Sequence, residues 1–332
     1  VPSDDAANKD GQVASHRFAA ANTALPTANR DEEQLQAVID FLTARQVTVD
    51  IFAMTEARAI AEEEEARQGE GGPLATSFAV GEEQGMVVGG GTLAAGEAAT
   101  VLAPLDRIPA TVRRGDSTRI DVVVRTRGVG HFFPSGTIDA FDVWVELQAV
   151  DERGQVIFWS GMADEDSPVE PGAHFYRSLM IDAHGNPINK RNAPASRAVV
   201  YVRLIPPGAA DTVHFRLDVP EWVGDRITLT AKLNYRKFSW FNTQWAYAGE
   251  PDPEQTDATF SRDFDDRRFV FTADTSDVSG EIKEIPTLPI VVMAENQVDL
   301  AVVDASAELP DMQSPQLVAE TDRERWNDYG IG

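Results

Sequence analysis

Between residues 107 and 237 one pattern recurs: apolar side chains at every second position, in short runs closed by glycine, proline or acidic turn residues. Ile120, Val122 and Val124 alternate, and Phe141, Val143, Val145 and Leu147 interleave with Asp142, Trp144 and Glu146. Val156-Ile157-Phe158-Trp159 follows the turn Asp151-Glu152-Arg153-Gly154, and residues 199–205, 213–219 and 227–235 continue the series between proline breakers. A period of two sends successive side chains to opposite faces of an extended backbone, so each segment buries one face only against a second layer. The expected fold is mainly β, an antiparallel two-sheet β-sandwich, Ig-like or jelly-roll-like, over residues 47–305.

Inside that series, Gly130-His131-Phe132-Phe133-Pro134-Ser135-Gly136 runs into Thr137-Ile138-Asp139 and the strand that begins near Phe141. Two glycines and a proline bracket a histidine and two phenylalanines, which predicts a tight non-helical loop at a strand entrance, from which His131 can be aimed.

The flanks read differently. Residues 1–46 are expected to form a polar arm and one helix, capped by Asp31, with Leu35, Val38, Ile39 and Leu42 on a single face. Val47, Val49 and Ile51 alternate as a first strand, followed by a polar helix over 55–67 whose Glu62-Glu63-Glu64-Glu65 run reads as a solvated face. A glycine-rich excursion within 54–100, centred on Gly89-Gly90-Gly91, is expected to lie outside the core. One or two late strands are expected within 282–303, and residues 306–332 read as a polar tail or linker. The opening Val1-Pro2-Ser3-Asp4-Asp5 is neither a signal peptide nor an initiator methionine, so the chain is expected to be an excised or processed piece.

Charge and cysteine content narrow the chemistry. A formal net charge of -25 over 332 residues disfavours nucleic acid and anionic membrane surfaces as partners, and no apolar run is long enough to span a bilayer. The chain has no cysteine, which excludes disulfides, thiolate nucleophiles, iron–sulfur clusters and covalent attachment of haem c through C-x-x-C-H. Phosphate-binding glycine loops, a G-x-S-x-G elbow and H-E-x-x-H are also missing from the sequence.

Three stretches in order, Ser15-His16-Arg17-Phe18 with Ala21-Asn22-Thr23, the Gly130–Gly136 loop, and Pro171-Gly172-Ala173-His174-Phe175-Tyr176-Arg177-Ser178, resemble the non-haem β-domain of large multihaem c-type cytochromes. In that family the β-domain lies between a haem-rich part and tetratricopeptide repeats, and Arg325-Trp326-Asn327-Asp328-Tyr329-Gly330-Ile331-Gly332 resembles the run that opens the repeats. The resemblance implies a non-catalytic, extracytoplasmic (periplasmic, cell-surface or extracellular) module. It would scaffold or dock a multihaem electron-transfer assembly, with haem c carried by a partner segment or subunit and tetratricopeptide repeats as a further partner. It also implies that His16 is a distal axial ligand reaching a neighbouring haem iron, the metal role it assigns. The C-x-x-C-H segments themselves are lacking here.

Each candidate residue has an ordinary reading beside the functional one. His16 is a ligand or an exposed arm histidine. His131 ligates a metal or faces a haem edge behind Phe132 and Phe133, or it hydrogen-bonds the backbone of its own loop. His174 reads as a strand-end residue, His184 as turn chemistry and His214 as a strand residue. Asp164, Glu165 and Asp166 form an acidic loop that could hold calcium or simply face solvent. Tyr235, Phe238, Trp240, Phe241, Trp245 and Tyr247 could stack on a sugar or porphyrin ring, or plug the sandwich core. They carry the alternative reading, a carbohydrate-binding or adhesive surface module; Asp139 and Asp142 admit a third, a paired-carboxylate hydrolase.

Overall fold

The structure, a computed structural model, describes residues 20–56, 101–188, 193–256, 260–261, 264–265, 268–278, 283–310, 312, 314 and 319–331. Helices α1 (Ala24–Ala28) and α2 (Glu32–Thr43) lead into strand β1 (Val47–Glu56). Then come β2 (Val101–Leu102), β3 (Thr111–Arg113), β4 (Ser117–Thr126), β5 (Asp142–Asp151) and β6 (Val156–Ser160). After β7 (His174–Phe175), β8 (Ser178–Ile181) and β9 (Ala198–Val202), β10 (Ala210–Asp218) and β11 (Arg226–Arg236) reach helix α3 (Trp240–Ala248). Short strands β12 (Gly249–Pro251), β13 (Phe260–Ser261), β14 (Phe264–Asp265) and β15 (Phe269–Phe271) precede the long β16 (Val291–Val303) and helix α4 (Arg323–Ile331).

The expected two-sheet sandwich is present. One sheet runs β10-β4-β1-β2 and the other β3-β16-β11-β5-β6, with β7 also on β5. Every pairing is antiparallel except β16 with β3. Ile51, Ile120 and Val122 from the first sheet and Val145, Leu147, Leu229 and Leu300 from the second fill the core, all buried. Each such side chain contributes about 1.5–3 kcal/mol by leaving water. The Asp31 side chain caps α2 by accepting from the Gln34 backbone N–H at 3.1 Å, and Val38 and Leu42 enter the same core.

Several elements differ from the sequence expectation. Thr55 and Glu56 extend β1 instead of opening a helix, because their backbones pair with Arg119 and Thr118 of β4; the rest of that helix and the glycine-rich excursion lie outside the described residues. A register shift between Ile51 and Ala53 places Phe52 as an extra residue, so core-facing parity passes from odd positions to Met54. Phe52 therefore serves the outer face, where helix α4 covers it: Trp326 meets its ring edge-on and Tyr329 tilted, each at 5.1 Å. Arg325 of the same helix pairs with Asp50 at 2.7 Å and with Asp106 at 2.8 Å.

Candidate functional site

The Gly130–Gly136 loop is anchored through its middle. Phe133 is buried and exchanges two backbone hydrogen bonds with Ile205, at 2.8 and 2.7 Å, while its ring faces Tyr176. Gly136 adopts φ +82°, where a side chain would strain the backbone. Anchoring Phe133 inward sends its neighbour out: Phe132 is 53% exposed, and His131 stands exposed beside it. The His131 Nδ1 lies 2.9 Å from the Phe132 carbonyl oxygen. A carbonyl only accepts, so that contact assigns the donor role to Nδ1, and Nε2 faces the Ser135 hydroxyl 3.4 Å away. His16 lies outside the described residues.

Beside the following strand entrance a cavity of about 350 Å³ opens between this loop's exit, the 168–171 turn, the β8 ribbon and α3. Phe141, Phe175, Trp240 and Phe241 supply rings, and Asp139, Asp142 and Arg177 supply charge. Arg177 lies over the Phe175 ring at 3.8 Å from the centroid and reaches Asp142 at 3.9 Å. Trp240 also lines a second cavity of about 230 Å³, with Glu165, Asp166, Thr243 and Gln244. Of the aromatic block, only Tyr235 is a buried member of the sandwich core and Phe238 packs against it. Trp240, Phe241 and Trp245 instead lie on α3, capped by Ser239, and meet Phe269 and Phe271 of β15.

Behind the larger cavity Asp142 and Arg236 form a buried ion pair, with Nη2 2.9 Å from Oδ2. Arg236 Nη1 also donates to the carbonyls of Asp164, Glu165 and Ser167 at 3.2, 3.4 and 2.8 Å. The acidic loop considered for calcium thus turns three backbone oxygens onto a guanidinium. Among the described residues no group of three or more histidine or acidic side chains is placed to hold a metal. Of the two acids considered for a hydrolase, Asp142 is ion-paired with Arg236.

Two partly buried networks were not legible in the sequence. Asp211 accepts from Tyr176 Oη at 2.9 Å and from His174 Nε2 at 3.1 Å. Burial lowers the His174 pKa below the ordinary histidine range despite the carboxylate beside it; burial alone would raise Asp211, but the His174 and Tyr176 hydrogen bonds hold it below its usual value. On the outer face Asp121, fully buried, accepts from Arg119, from Tyr329 of α4 at 2.8 Å, and meets His214 Nδ1 at 2.7 Å. Burial would raise Asp121 too, and His214 and Arg119 pull it down. His184 sits in the turn expected for it, where Asp182 Oδ1 accepts from the backbone N–H of His184 and Asn186.

No protein-family model matches the chain, and no curated protein matches it. Among solved structures it is similar to a penta-haem cytochrome c552 from Thermochromatium tepidum, at 14% identity and TM-score 0.33 over 57% of this chain and 38% of that one. It is also similar to a family 123 glycoside hydrolase from Clostridium perfringens, at 8% identity and TM-score 0.17 over 37% and 20% of the two chains. The chain therefore matches less than half the length of either protein, and likenesses this weak carry no argument about its fold or function. Among the described residues no helix is long and apolar enough to cross a membrane.

Proposed function

We propose that the chain is a non-catalytic, extracytoplasmic β-sandwich module that docks a multihaem cytochrome segment or subunit through the end of the sandwich carrying the Gly130–Gly136 loop. The observation that carries this reading is the placement of His131: an exposed imidazole whose Nδ1 lies against a backbone carbonyl, which leaves Nε2 as the ring atom available to a metal. Imidazoles that bind metals are oriented in this way, by donating their other ring N–H to a carbonyl or carboxylate. Exposed Phe132 supplies an apolar neighbour for a porphyrin edge, and His16 is proposed as the second ligand delivered to the partner's haem. The test titrates the whole chain with a soluble haem c peptide that has one open axial position. Conversion of that haem to a low-spin spectrum is expected, with the loss of it in His131→Ala plus His16→Ala; an unchanged titration in the double variant defeats the reading.

The cavity beside Trp240 favours a second reading, a carbohydrate-binding module, because rings set beside acidic and guanidinium groups suit sugar faces and hydroxyls. Calorimetric titration with neutral oligosaccharides tests it: binding that Trp240→Ala removes supports it, and no heat with the unaltered chain sets it aside.

A further inference from the structure

One row of side chains crosses the outer face of the second sheet. Trp159 of β6 lies opposite Gln148 of β5, Gln148 opposite Thr230 of β11, and Thr230 opposite Gln297 of β16. Their strand neighbours Leu147, Leu229 and Val298 are buried in the core, so the period of two sends this row outward. Trp159 is 40% exposed, Gln297 is exposed, and Gln148 and Thr230 are half-buried between them. Three strand spacings make the row about 14 Å long.

The tryptophan ring is held in place. Its Nε1–H donates to Glu146 Oε1 at 2.9 Å, and Glu146 Oε2 accepts from Asn234 Nδ2 at 2.7 Å, with Asn234 1% exposed. A relay rooted in a buried amide thus pre-orients an exposed apolar ring, which lowers the ordering cost for a ligand that stacks on it. The side chains of Gln148, Thr230 and Gln297, by contrast, make no hydrogen bond to another described residue.

Charge and area distinguish what fits there. The row is uncharged in a chain of -25, and in the row beside it Lys232 lies between Glu146 and Glu295, so a polyanion would be repelled. A stable protein partner covers about 800 Å² with an apolar centre, whereas the apolar surface here is one ring with the pair Val150 and Val156 beside it. A pyranose has one apolar C–H face and a rim of hydroxyls, which matches a single fixed indole followed by amides and a hydroxyl. We propose that this row binds a neutral, extended glycan chain, with one sugar ring stacked on Trp159 and the following hydroxyls bonded to Gln148, Thr230 and Gln297. The site needs no haem, and it is separate from the Trp240 cavity, which meets β5 at Asp142, about 20 Å along the strand from Gln148. It therefore stands independently of both readings above.

The probes are hexasaccharides of β-1,4-linked glucose, xylose, mannose and N-acetylglucosamine, titrated calorimetrically into the whole chain, with polygalacturonate as the anionic control. At least one neutral hexasaccharide should bind. Trp159→Ala should weaken that binding at least tenfold while Trp240→Ala leaves it unchanged. Gln148→Ala plus Gln297→Ala should weaken it several-fold, and serves as the test if Trp159→Ala does not fold. Binding by none of the neutral hexasaccharides overturns the proposal, as does loss of binding in Trp240→Ala with none in Trp159→Ala. Equal binding of polygalacturonate overturns the neutral ligand. A dimer in sedimentation that Trp159→Ala dissolves also overturns it, since a second copy of the chain would then occupy the row.

Discussion

Replacing Arg236 by methionine removes a guanidinium while keeping the apolar stem, and the structure sets how much this should cost. Arg236 is 1% exposed and its partner Asp142 is 3% exposed. The variant leaves that carboxylate with Arg177, at 3.9 Å, as its remaining ion-pair partner among the described residues, and deprives the carbonyls of Asp164, Glu165 and Ser167 of their shared donor. If the pair acted merely as two neutral hydrogen bonds, the loss would be about 1–3 kcal/mol. An uncompensated buried charge costs about 3–5 kcal/mol, so the electrostatic term is expected to dominate. For a domain of this size that corresponds to a fall in Tm of roughly 6–20 °C. Denaturant unfolding of Arg236→Met, Asp142→Leu and the double variant measures it. The double variant should be less destabilised than Arg236→Met alone, since removing both charges relieves the penalty. A single-variant loss below about 1 kcal/mol, or a double variant worse than the sum of its parts, would refute the reasoning.

Two further outcomes follow from single positions. Gly161 has φ +82°, and a Cβ there would lie 2.6 Å from the Val145 carbonyl oxygen, so Gly161→Ala should cost about 2 kcal/mol or more in the same unfolding assay. His174 has a pKa below its unfolded value of 6.5, so the folded chain holds fewer protons than the unfolded one, and the contribution is whole above about pH 6.5 and lost as pH falls below it. Stability measured between neutral and mildly acidic pH should therefore fall less steeply in His174→Gln than in the unaltered chain, by up to about 1.4 kcal/mol per pH unit; equal slopes would remove His174 from the titration.

The sandwich was readable because its signal is local: a strand one face of which is buried writes that face into every second residue, as Val143, Val145 and Leu147 do in β5. Asp31 was readable for the same reason, since a cap needs only the N–H three residues on. What escaped depends on residues far apart in the chain. The Phe52 bulge reverses parity within β1, and its outward ring makes sense only once Trp326 and Tyr329, some 275 residues later, form a helix over it; the C-terminal residues have little apolar periodicity to announce that helix. Asp121 is the sharper case. An aspartate alternating with Ile120 and Val122 reads as a solvent-facing strand residue, yet it is fully buried because Arg119, His214 and Tyr329 converge on it from β4, β10 and α4. A lone buried carboxylate would be prohibitive, and three donors make it tenable. The same logic holds behind the cavity, where Asp142 lies in an otherwise regular strand pattern and is balanced by Arg236 from the neighbouring strand. Polar residues in this sandwich thus occupy positions that sequence alternation assigns to solvent, and partners distant in the chain permit it, Arg236 of the adjoining strand for Asp142 and His214 and Tyr329 for Asp121, so these electrostatics become visible only with the register of the sheets.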